Sequence, residues 1–102
     1  MTLVEMRPET VTRSVRLVWF ATSDCRSCNN HAAMLGQVQV GDADLTTLMI
    51  DPRNEPTTIV DQDIIVLPTT LIEVDGREVL RFAGTPTAAA VAKLVERSLA
   101  VA

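Results

Sequence analysis

Cys25 and Cys28 are both cysteines of this chain, and only Arg26 and Ser27 lie between them. Two thiols at that spacing on a first helical turn can close a small disulfide ring or act as neighbouring thiolates. They follow the apolar run Leu17-Val18-Trp19-Phe20-Ala21 and precede a segment of helix formers, so the pair falls at a strand-to-helix junction. Unpaired backbone N–H groups and the positive end of a helix dipole favour a thiolate there. Three chemistries fit the pair: a redox dithiol, half of a metal site, or two packed and inert thiols. In the first, Cys25, nearest the helix start, attacks and Cys28 resolves. The second would need two more ligands, and only His31 with Asp24 or Asp51 are on offer. The redox dithiol is the preferred reading, with no metal and no cofactor.

The residues around the pair carry tuning roles. Arg26 sits between the thiols and reads equally well as holding a nearby negative charge or as merely solvated, and the Arg26-Ser27 linker is neither rigid nor apolar. Asp24 disfavours a thiolate if it faces the sulfur; its preferred reading is a helix cap, with Thr22 and Ser23 the other N-cap candidates. His31 lies three residues beyond Cys28 and reads as a partly exposed surface histidine, with a ligand or proton-donor role as the alternative.

The elements that must position these residues follow from the pattern of the chain. One hundred and two residues, 47% of them hydrophobic and 22% charged, suit one domain with its own core. Residues 15–21 are too uniformly apolar for a strand with one wet face and fit one covered on both sides. A helix containing the cysteines should run to about Gly36, and residues 45–50 form a second strand closed by Asp51-Pro52. Residues 56–63 read as a short helix, and 1–13 as a lead-in. Thr69 to Val74 alternates, Asp75-Gly76 is a strong hairpin signal, and residues 78–83 return as the antiparallel partner. Thr85 and Pro86 are the expected N-cap and first position of a last helix, whose inner stripe is Val91, Leu94, Val95 and Leu99.

With that order assembled, the chain resembles the thioredoxin superfamily in a minimal form over roughly residues 15–101. The likeness is carried by Phe20 followed by Cys25-Arg26-Ser27-Cys28, Met49-Ile50-Asp51, Leu67-Pro68-Thr69 and Gly84. It implies an α/β three-layer sandwich, with a mixed sheet of about four strands and helices on both faces. It also implies a cis peptide before Pro68 and a substrate surface made of Thr22, Ser23, Leu67, Pro68 and Thr69. Where the superfamily places a buried Asp this chain has Trp19, and where it places a Lys on the next strand it has Thr47.

The function expected is thiol–disulfide exchange with protein disulfide or dithiol partners, with electrons recharged by a separate reductase. The alternative is a redox-silent or redox-sensing binding module with a weak metal clip at the same cysteines. A net charge of −4 and a sparse set of aromatics argue against a nucleic-acid partner. No run approaches the roughly 18 apolar residues of a membrane span. Met1 to Pro8 lacks a signal-like apolar core. A cytoplasmic monomer is therefore expected.

Overall fold

The first strand, β1 (Arg13–Phe20), is the central feature because both of its faces are buried. Val15, Leu17 and Trp19 enter one apolar cluster, and Val18 and Phe20 enter a second. Burial on two faces is what makes the run continuously apolar instead of alternating. In this computed structural model the described residues are 13–22, 24–41, 43–54, 64 and 66–102. The expected lead-in and the short helix expected over 56–63 lie outside them, apart from Arg13.

Helix α1 (Arg26–Leu35) and strand β2 (Ala43–Ile50) follow. Then come β3 (Thr69–Val74), β4 (Arg77–Ala83) and helix α2 (Ala88–Val101). The sheet order is β2-β1-β3-β4. β2 runs parallel to β1 from Arg13↔Ala43 to Phe20↔Ile50, whereas β3 is antiparallel to β1 and β4 to β3. Both β1 and β2 start two residues earlier than expected, because Arg13 and Ser14 pair with Ala43 and Asp44 across the strands.

The β3–β4 turn needs left-handed backbone at two positions, and Asp75 (φ 52°) with Gly76 (φ 87°) supplies it. Val79 is the extra residue of a bulge, since Ile72 opposes Leu80 while Glu73 opposes Glu78. The facing carboxylates at 73 and 78 are each neutralised locally, by Arg16 at 2.8 Å and Arg81 at 2.7 Å.

Thr87, not Thr85, caps α2, and its hydroxyl accepts from the Ala90 N–H. The expected start at Thr85-Pro86 is thus two residues early, because the Thr85 hydroxyl is engaged elsewhere. Val91 and Val95 are fully buried as the inner stripe predicts, with Leu94 and Leu99 packed at its margin. Removing each such valine from water contributes about 1.5–3 kcal/mol. Both described helices press on the face that carries Val15, Leu17, Trp19, Ile72 and Val74.

Candidate functional site

The two cysteines sit at the N-terminal end of α1, just past the carboxyl end of β1. Cys25 is the N-cap: its backbone is extended (φ −93°, ψ 112°) and its Sγ accepts from the Cys28 N–H at 3.2 Å. Asp24, expected as the cap, stands one residue outside and is exposed. A sulfur at the cap is therefore in the path of the free N–H groups and the positive helix end. Cys25 and Cys28 are joined in a disulfide, with their Cα atoms 5.1 Å apart. Their surroundings differ. Cys25 is half-buried and its Sγ lies 3.4 Å from the Ser27 hydroxyl, whereas Cys28 is 2% exposed and part of the core.

The Asp24 pKa is lowered, first by the Thr22 hydroxyl, then by its own backbone N–H and by Arg53. Arg53 reaches Asp24 at 3.7 Å and Asp51 at 2.9 Å, tying the end of β2 to the approach to the cysteines. Asp51 is likewise lowered, chiefly by the Arg53 side chain. Arg26 is exposed on the first turn of α1. Ser23 lies outside the described residues.

The opposite wall comes from the loop before β3. The Leu67–Pro68 peptide is cis, as the resemblance implies. Leu67 packs at the edge of the core cluster that Cys25 also touches, and the Thr69 hydroxyl donates to the Val66 carbonyl. The Gly84 N–H donates to the Pro68 carbonyl at 2.9 Å, and the Thr85 hydroxyl to the Ser27 carbonyl at 3.5 Å. The loop after β4 thus holds the proline turn and the cysteine turn together. Gly84 has φ 78°, and an added Cβ would meet nothing within 4 Å, so it serves the backbone turn and not a close approach.

His31 corrects the sequence reading. It is not a surface histidine: it is fully buried, with Nε2 2.7 Å from the Thr70 hydroxyl and Nδ1 3.2 Å from that of Thr85. Its ring packs on Trp19 at 5.2 Å and Phe82 at 6.1 Å, and burial lowers its pKa. Trp19 accordingly fills its position as core, beneath the histidine. Thr47 is exposed on β2, opposite Leu17. Thr70 and Thr85 are site residues that sequence reasoning missed. The available signal was the spacing Cys28, His31, Leu35, which repeats on one helical face and marks His31 as inward-facing. Both ring nitrogens are committed to threonine hydroxyls, and among the described residues no three His, Cys, Asp or Glu side chains gather as a metal site.

No protein-family model matches the chain, and no curated protein is similar to it in sequence. Solved structures do match. Thioredoxin-2 of the malaria parasite, a component of that parasite's protein secretion machinery, superposes with a TM-score of 0.73 at 15% identity over 85% of each chain. Thioredoxin 1 of Thermosipho africanus gives 0.68 at 21% identity, covering 84% of this chain and 96% of its own. Mitochondrial thioredoxin 3 of Saccharomyces cerevisiae gives 0.69 at 17% identity, covering 81% and 77%. The chain has the thioredoxin fold, with a C-x-x-C disulfide at the start of its first described helix.

Proposed function

We propose that the protein is a thiol–disulfide oxidoreductase of thioredoxin-like type, a single domain working as a monomer in a reducing cytoplasm. The observation that carries this reading is the asymmetry of the pair: a half-exposed Cys25 sulfur at a helix cap, and a buried Cys28 one turn behind it. In the reduced protein Cys25, as thiolate, attacks one sulfur of a partner disulfide. That S–S bond breaks, the other partner sulfur leaves as a thiolate and takes up a proton, and a mixed disulfide forms. Cys28 then loses its proton and attacks Cys25 Sγ, releasing the second partner thiolate. Two electrons have passed to the partner, and Cys25–Cys28 is oxidised. A separate reductase or small dithiol returns them.

The partner segment would lie along Leu67, Pro68 and Thr69 as an added strand, with Thr22 on the far rim. The Gly84 and Thr85 hydrogen bonds, which fasten the proline turn beside the cysteine turn, support that placement. Insulin reduction driven by dithiothreitol tests the reading: Cys25→Ser should fall to the uncatalysed rate, and equal rates for the two proteins would overturn it. A Cys28→Ser variant should accumulate mixed disulfides through Cys25. Trp19 gives the binding-module alternative its one support, since no carboxylate stands there to take the Cys28 proton. Stable protein with a reversible disulfide but no turnover would favour it.

A further inference from the structure

The proton count around His31 leads from a buried ring to the reacting sulfur. Each threonine hydroxyl has one proton to give. At the Ser27 carbonyl, 3.5 Å away, Thr85 can only donate, so while that bond is made its oxygen can only accept at His31 Nδ1, 3.2 Å away. In that arrangement Nδ1 carries the imidazole proton, and Nε2 is left as the acceptor for the Thr70 O–H at 2.7 Å. The Ser27 carbonyl belongs to the peptide whose N–H is that of Cys28, and this N–H is shared between the Cys25 carbonyl at 3.1 Å and Cys25 Sγ at 3.2 Å. Four hydrogen bonds therefore point the same way, and each polarises the next.

We infer that His31 is a positioning residue for Cys25, the centre of a relay from Thr70 through the imidazole and Thr85 to the Ser27–Cys28 peptide that stabilises the Cys25 thiolate. The inference rests on the reading of Cys25 as the reacting thiol. A donor placed on the Ser27 carbonyl makes the peptide N–H a better donor, and a sulfur anion at the N-cap is the group that benefits. The opposite tautomer breaks the relay: with the proton on Nε2, the Thr85 hydroxyl must turn to Nδ1 and abandon Ser27. The ring is buried, and burial keeps it neutral. Its neighbours are Trp19 from β1, Thr70 from β3, Phe82 from β4 and Thr85 from the next loop, none of them charged. Asp24 and Arg26 flank Cys25, and Arg53 lies on Asp24.

The test uses the full chain in its reduced state. Nitrogen-15 NMR of the single histidine at neutral pH should show Nδ1 protonated; a proton on Nε2 would overturn the relay. The pH profile of Cys25 alkylation then reads its thiolate directly. Thr85→Val, which keeps the side-chain shape but drops the hydroxyl, should lower the Cys25 ionisation constant roughly two- to threefold. Thr85→Ser, which restores a hydroxyl, should return the wild-type profile. A profile unmoved by Thr85→Val, or moved as far by Thr85→Ser, would sink the inference. None of these readouts needs a protein partner. A shifted profile in a protein that fails the insulin assay would remove the proposed function and leave the relay, and the reverse result would remove the relay alone.

Discussion

Around Cys25 two influences oppose one another at the distance of a side chain. The helix end and the Cys28 N–H draw charge onto the sulfur, while the neighbouring carboxylate of Asp24 repels it. Asp24 is an anion at neutral pH, since its pKa lies below 3.8, lowered first by the Thr22 hydroxyl and then by its own backbone N–H and Arg53. Removing an anion favours the formation of another, so Asp24→Asn should lower the Cys25 pKa. The expected shift is roughly half a unit, the scale of one charge acting through water over a few ångströms. Alkylation kinetics against pH would show it, and a rise would mean that Asp24 orders the turn and does not repel the thiolate. The cysteines and the chemistry they suggest were legible from spacing alone. The hydrogen-bond partners of His31 were not, because Thr70 and Thr85 arrive from 39 and 54 residues away.

At the level of elements, the site depends on a loop with no reacting atom of its own. Gly84 bends the chain in the left-handed region so that its N–H meets the Pro68 carbonyl. Gly84→Ala places a Cβ in open space but in strained backbone, and should cost about 1–2 kcal/mol in urea unfolding. No loss would show that the loop relaxes freely. Helix α2 is held by burial, and Val95→Ala should cost about 2–3 kcal/mol because Val95 is wholly enclosed. A cost below 1 kcal/mol would mean that α2 settles into the gap. Strong local signals were readable here: the Asp75-Gly76 turn, the apolar β1 and the α2 stripe all stand as expected. The start of α2 was not, since two threonines, Thr85 and Thr87, could cap it. The choice of Thr87 was made by a distant demand on Thr85.

For the molecule as a whole, the titrating groups give a two-stage response to acid. The chain has one histidine, and burial puts its folded pKa below the unfolded 6.5. Its contribution is present above pH 6.5 and is lost as the pH falls through the lower folded value, because the unfolded chain binds the proton first. Asp24, Asp51 and Asp75 are also lowered, from 3.8. For Asp75 the Ser14 N–H is the main cause and Arg13 the second. Their contribution is present above 3.8 and disappears below it. Urea midpoints should therefore begin to fall just under pH 6.5 and fall again under pH 4. His31→Gln should remove the first step only, and a first step that survives the substitution would refute its assignment.

The position of β1 in the middle of the sheet also dictates the order in which the molecule can assemble. Its two partners lie far along the chain: Val15 pairs with Leu45 on one side and with Val74 on the other. Among the described strands the only short-range pairing is β3 with β4. Closing a long loop costs entropy before any contact repays it, so the hairpin should form early and the capture of β1 should limit the rate. The cysteine turn follows β1 and the proline turn precedes β3, so the two walls of the site meet only in that same event. Gly76→Ala, which strains the hairpin turn, should then slow folding more than it speeds unfolding. Val95→Ala should act mostly on unfolding. A chain still climbing that barrier carries two cysteines but has no site in which to use them.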